Sequence, residues 1–271
     1  HQRLDFFLLA LDQLVNSAAK YYYTFNGKSS IPLTIRLIIG RGWGQGPTHS
    51  QNLHAWFSHI PGIKVVMPSF PEDAKGLLLS SIFDDNPVVF IEHRWLHNVK
   101  GMVPVGDHRI DIGCARLVFK GTDLTIVSMS YMTIEAIQAV KQLKKINVKI
   151  ELIDLRTIKP VDWDSIFSSV RKTGKLLVLD TGSETSSFAG EIITRVCKEC
   201  WNELSISPER ITMPDCPEPT SYGLTSGFYP TANTIINRAS KMLKLKANLG
   251  DIMLVEKSHH DVPGDWFKGP F

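Results

Sequence analysis

Cysteine is scarce in this chain, neither sign of charge dominates, and no long apolar run occurs. Four cysteines among 271 residues, at positions 114, 197, 200 and 216, are too few for the disulfide framework of a small secreted fold, and the chain reads as reduced and intracellular. Cys197-Lys-Glu-Cys200 has metal or redox spacing, yet a zinc site needs a second ligand pair, and Cys114 and Cys216 stand alone. The pair also continues a helical pattern set by Phe188, Ile192, Ile193 and Val196, where positions three apart simply share a face. The 30 basic and 27 acidic side chains leave a net charge of +3, with no basic run or basic–aromatic stripe, which argues against a nucleic-acid partner. No stretch approaches the roughly eighteen consecutive apolar residues of a membrane helix, so no membrane span is expected. The chain starts at His1 with no signal-peptide pattern behind it, and position 1 is expected to be an internal point of a longer protein.

What is present is an alternation of short apolar strands and amphipathic helices, in a chain that is 43% hydrophobic. Residues 5–23 carry Leu8, Leu11, Val15, Ala18, Ala19 and Tyr22 at helical spacing, with Asp5 as the expected N-cap. Strands are expected at 31–39, 63–68 and 86–93, separated by helices at 50–59 and 71–83. The second of those helices is announced by a capping box, Ser69 with Glu72, and by Pro71 in its first turn. Residues 97–121 break the rhythm with glycines and a proline. The alternation then resumes, with strands at 123–129, 148–154, 175–181 and 211–213 and helices at 133–146, 162–172, 187–203 and 231–246. The expected fold class is α/β: two domains with mostly parallel sheets flanked by helices. Their bounds are 1–96 and 122–247, with 97–121 as linker and 248–271, carrying His259-His260-Asp261, as tail.

The chemistry is expected near the glycine run "GRGWGQG" (40–46). It is not the G-x-G-x-x-G of dinucleotide binding; its glycines let a backbone pass close to a ligand, or simply turn. Directly after it, "HSQ" (49–51) places His49 where a loop leaves the carboxyl end of a strand. Ligands collect there in open α/β sheets, and an imidazole exchanges protons readily near neutral pH. His54 and His59, on the following helix, read as surface or packing residues. Asp84, Asp85 and Asn86 offer oxygen ligands or a solvated helix end. Arg94 in "HRWLH" is suited to an anion or to a carboxylate.

The stretch "HSQNLHAWFSHIPGIKVVMPSFPEDAKGLLLSSIFDDNPVVFIEHRWLH" (49–97) resembles the β subunit of thiamine-diphosphate-dependent 2-oxo acid dehydrogenases. So do "DFFLLALDQLVNSAAKYYY" (5–23) and "IELIDLRTIKPVDWDSI" (150–166) followed by "VRKTGKLLVLD" (170–180), and the likeness runs over roughly residues 2–240. The resemblance implies a transketolase-like fold: a partial pyrimidine-binding domain and a transketolase C-terminal-like domain. It implies thiamine diphosphate shared with an α subunit that holds the diphosphate through Mg2+. It also implies decarboxylation of a 2-oxo acid, transfer of the acyl group to the lipoyl arm of the core acyltransferase, and pairing with a second β subunit. By the same resemblance, His49 lines the substrate channel and assists acyl transfer, and Phe6 packs on the aminopyrimidine. Leu33, Thr34, Ser81, Asp84 and Asn86 hold a structural K+, largely through backbone carbonyls, with Asp84 giving charge.

One departure goes with the resemblance. The glutamate that activates the cofactor in this family lies upstream of the position matching Phe6, and nothing in residues 1–5 matches it. The chain is therefore expected to be inactive alone. Two other readings are a non-catalytic module that assembles or docks such a complex, and a transketolase-type transferase. Trp43 and Trp56 crowd the loop and favour a small substrate; which 2-oxo acid, or acetoin, is not legible. The expected compartment is bacterial cytoplasm or mitochondrial matrix.

Overall fold

Two sheets built from short β-branched runs organise the protein. The computed structural model describes residues 1–41, 45–246, 248–255, 260–264 and 267–269. In the first sheet, β1 (Thr34–Ile39), β2 (Lys64–Val66) and β3 (Val88–His93) run parallel, with β3 in the middle. β3 buries Val88, Val89, Phe90 and Ile91 in succession, the near-continuous apolar run of a strand covered on both faces. The second sheet has the order β4 (Arg116–Phe119), β6 (Ile150–Asp154), β5 (Leu124–Ser128), β8 (Leu176–Ser183), β9 (Glu209–Met213). All its neighbours are parallel except β4 against β6.

Two strands depart from the expectations above. β4 lies inside 97–121, expected to be irregular, because Arg116 and Leu117 add antiparallel to Asp154 and Ile153 at a sheet edge. β7 (Thr157–Lys159) pairs antiparallel with β2, so a segment following β6 of the second sheet completes the first. One apolar core accordingly runs through both: Leu37, Ile39, Val65, Val89 and Ile91 share it with Val127, Met129, Leu155, Ile166 and Val178.

The helices flank these sheets. The helical stretch 4–24 consists of α1 (Leu4–Phe7), a 3-10 turn (Leu8–Ala10), a π segment (Gln13–Ala18) and α2 (Ala19–Thr24). It presses on the turn at Gly62, where a Cβ would sit 1.8 Å from the Ala19 carbonyl oxygen; only glycine fits, at φ 97°. The first sheet adds α3 (His54–His59) and α4 (Pro71–Ile82). The second adds α5 (Tyr131–Lys144), α6 (Trp163–Thr173), α7 (Phe188–Glu199) and α8 (Ala232–Met242).

Both expected caps are corrected. Arg3, not Asp5, is the N-cap of α1, and the Asp5 carboxylate accepts instead from Gln51. Phe70 is the N-cap of α4, and the Ser69 hydroxyl donates to Thr133 Oγ1 at 3.1 Å. In each case the polar side chain serves a contact between elements rather than its own helix.

Candidate active site

β1 ends at Ile39 and hands the chain to Gly40, whose φ of 76° turns it away from the sheet. A Cβ on Gly40 would lie 2.3 Å from His93 Nε2, so the absent side chain is what lets the backbone cross the ring at the end of β3. That imidazole stacks on Tyr131 with centroids 5.1 Å apart, and its Nδ1 accepts from the Trp95 N–H at 3.2 Å. Burial, and then the nearby His97, His54 and Arg3, push its pKa down to about 3. His93 is therefore a neutral acceptor at any physiological pH.

The structure brings His49 and Phe6 together. Their rings meet edge to face at 5.2 Å and 76°, with His49 exposed and Phe6 47% exposed. The cause lies in the adjacent residues: Asp5 Oδ1 accepts from the Gln51 side-chain amide at 2.9 Å and from its backbone N–H at 3.3 Å. This ties α1 to the loop two residues beyond His49. Thr48 Oγ1 lies 2.9 Å from His49 Nδ1, which orients the ring from the other side. Gly42, Trp43 and Gly44 of the glycine run, and His259 of the tail, lie outside the described residues. Trp56 is exposed on α3.

Behind the loop, His54 and Asp180 form a fully buried pair at 2.7 Å, α3 against β8. The Asp180 oxygens also accept from the N–H groups of Gly182 (2.8 Å) and Ala189 (3.0 Å). Burial raises the carboxyl's pKa, but the His54 charge and these hydrogen bonds outweigh it, and the net is below the usual range. His54 thus joins the two halves.

The chain matches the transketolase pyrimidine-binding domain over residues 1–99 and the transketolase C-terminal domain over 113–235. It is 39% identical over 241 residues, 89% of this chain and 71% of the relative, to the acetoin:2,6-dichlorophenolindophenol oxidoreductase subunit beta of Cupriavidus necator. The mitochondrial pyruvate dehydrogenase E1 component subunit beta of Caenorhabditis elegans is 38% identical over 248 residues, 89% of this chain and 70% of that one. The chain belongs to the dehydrogenase E1 β-subunit family. A solved structure, a split-gene transketolase described as an inactive beta4 tetramer, superposes with a TM-score of 0.70. It covers 91% of this chain and 75% of its own at 20% identity, a likeness of fold alone.

For a family whose cofactor carries an aminopyrimidine, a half-exposed aromatic face beside an imidazole is a fitting seat, and Phe6 with His49 provides one. Among the described residues no group of three or more His, Cys, Asp or Glu side chains is placed to hold a metal ion. Cys200 is buried, and its thiol lies 3.9 Å from the Phe167 carbonyl.

The five residues expected to hold K+ lie around the opposite end of β1, joined in pairs. Thr34 Oγ1 donates to the Ser81 carbonyl at 2.8 Å, the Leu33 carbonyl accepts from Val88 at 2.8 Å, and Asp84 accepts from the Asn86 N–H at 2.9 Å. Asp84 also pairs with the Lys64 ammonium. Backbone carbonyls and a carboxylate are hard oxygen donors of the kind an alkali cation takes, and here the Asp84 carboxylate is paired with Lys64.

Arg94 makes no ion pair among the described residues; its guanidinium donates to the Gln2 carbonyl at 3.4 Å and lies 3.5 Å from His97 Nδ1. The sequence reading passed over Arg41, Asp180, Glu218 and Tyr229. Two of them carried a signal: a cation embedded among glycines in "GRGWGQG", and a carboxylate between prolines in "CPEPT".

Proposed function

We propose that this chain works as the β subunit of a thiamine-diphosphate-dependent 2-oxo acid or acetoin dehydrogenase, in a closed assembly with an α subunit and a second β subunit, serving a lipoyl acyltransferase core. Residues 1–96 form the cofactor-facing half and 122–247 the C-terminal half. The observation that carries the reading is the Phe6–His49 pair, locked by Asp5 and Gln51 at the carboxyl edge of the first sheet.

When bound, thiamine diphosphate supplies the carbanion chemistry, with Mg2+ held on the α partner. Phe6 then offers its exposed face to the aminopyrimidine. His49 stands at the loop surface with one ring nitrogen oriented by Thr48, free to hold or release a proton as the acyl group leaves for the lipoyl arm. His93, neutral and buried, adds no charge of its own to the floor of the site. K+ at Leu33, Thr34, Ser81, Asp84 and Asn86 stiffens the start of the strand that feeds the loop. The substrate is small: acetoin, or a 2-oxo acid in the range of pyruvate and the branched-chain 2-oxo acids. The compartment is bacterial cytoplasm or mitochondrial matrix; no helix among the described residues is long and apolar enough to cross a membrane.

The test is reconstitution of the gene product carrying this sequence with an α subunit, thiamine diphosphate and Mg2+. The expected result is release of carbon dioxide from a 2-oxo acid, or oxidation of acetoin with a dye as acceptor. No turnover of any member of that panel overturns the reading.

A further inference from the structure

The loop that carries His49 is gripped on both sides by one buried cluster from the C-terminal half. On one side Arg41 is 1% exposed; its guanidinium donates to the Pro219 carbonyl at 3.0 Å and to the Tyr229 hydroxyl at 3.3 Å, and pairs with Asp261 at 3.1 Å. On the other side Asn52 donates to Glu218 Oε1 at 3.0 Å and to the Ser50 carbonyl, next to His49, at 3.2 Å. The Tyr229 hydroxyl in turn donates to Glu218 Oε2 at 3.2 Å. Arg41, Tyr229, Glu218 and Asn52 thus form a chain of contacts that bridges the loop, with Glu218 as the member touching both branches.

We propose that Glu218 is a positioning residue for His49: through Asn52 on one branch and Tyr229 with Arg41 on the other, it sets where the 45–52 stretch presents the imidazole. The Oδ1 atom of Asn52 is buried with no partner, so this amide is anchored only through its NH2 group. Without Glu218, Ser50 alone remains to hold it. Movement has room, because Gln51, Asn52, Thr181, Cys216 and Glu218 line a cleft of about 420 Å³.

Glu218 is 9% exposed, and burial pushes its carboxyl up to about 8 against the hydrogen bonds of Tyr229 and Asn52 and the charge of Arg41. At neutral pH it is an uncharged acid. Ionisation places a new negative charge facing Arg41, Asp5 on α1, Arg3 and Tyr229. Asp5 is the residue that holds Gln51, so repulsion there acts on the same tie that seats His49 against Phe6. Through this coupling the presentation of His49 changes as pH rises through about 8.

The inference rests on the proposed function only for its consequence in turnover; its test does not require a reaction. The full chain, labelled with carbon-13 at histidine Cε1, is titrated by NMR, with the His49 signal assigned by its loss in His49→Gln. In the parent, that signal is expected to show an inflection near pH 8, and a cross-relaxation peak to Phe6. Glu218→Gln, which keeps shape and neutrality, is expected to lose the inflection and keep the peak. Glu218→Ala is expected to lose the peak at every pH. An inflection absent from the parent, or surviving Glu218→Gln, overturns the proposal, as does a Phe6 peak that survives Glu218→Ala. Should Glu218→Ala not fold, the parent and Glu218→Gln decide the matter. A failure of turnover in the reconstituted dehydrogenase leaves these outcomes standing, so the two readings fail separately.

Discussion

Strand β1 joins two polar clusters that are built in opposite ways. At its start, Thr34, Ser81, Asp84 and Asn86 satisfy one another locally, and the one ion pair, Asp84 with Lys64, keeps its cation 37% exposed. At its finish, beyond Gly40, the charged and titratable groups Arg41, His54, His93, Asp180 and Glu218 are buried, and burial displaces the pKa values of His93 and Glu218 far from their ordinary ranges. A pair like the first contributes about 0.5 kcal/mol; breaking one like the second leaves an uncompensated charge inside the protein. Strongly displaced titratable groups gather where a protein does chemistry. They lie here at the His49 end, and the Thr34–Asp84 cluster reads as a brace.

The sharpest way to break this contrast is to remove one member of a buried pair. Asp180→Ala leaves His54 enclosed without its partner and is expected to lower stability in urea unfolding by about 3–5 kcal/mol. Gly40→Ala forces a Cβ into the His93 ring from a positive-φ backbone and is expected to cost about 2–3 kcal/mol in the same assay.

A third test uses pH. The Glu218 carboxyl is raised in the folded state, so its contribution is fully present below its unfolded value and lost as pH rises through about 8. Glu218→Gln is expected to gain on the parent by about 4 kcal/mol between pH 5 and pH 9; parallel stability curves would remove Glu218 from the account.

The starting end is expected to respond least. Asp84→Ala in sodium buffer costs under about 1 kcal/mol. The parent, however, is expected to gain up to about 2.7 kcal/mol from K+ at a hundred times its dissociation constant, a gain the variant lacks. Equal stabilisation of both by K+, measured by thermal unfolding, would place the ion elsewhere.

The buried parallel strands were legible because their β-branched runs need no partner to be recognised, as in Val88–His93. β7 was not, since three residues, Thr157–Lys159, become a strand only because the edge of β2 is there to receive them. The caps were misread for a related reason. Asp5 and Ser69 have the right chemistry for their own helices, but Gln51 and Thr133 compete for them from 46 and 64 residues away.

The site divides in the same way. His49 stands out from a local pattern, a histidine at the mouth of a glycine-rich loop, whereas Phe6 and the cation residues came from family resemblance. Asp180 and Glu218 escaped both routes, because their partners His54 and Asn52 lie 126 and 166 residues distant and no spacing records them.

The most direct test of the central claim compares the two ends in one assembled enzyme. Lipoyl acylation and cofactor affinity are measured for His49→Ala and Asp84→Ala in the gene product carrying this sequence, paired with an α subunit. His49→Ala is expected to lose about a hundredfold in acyl transfer with thiamine diphosphate affinity nearly unchanged, and Asp84→Ala to lose far less and to be indifferent to added K+. Acyl transfer undiminished by His49→Ala contradicts the account.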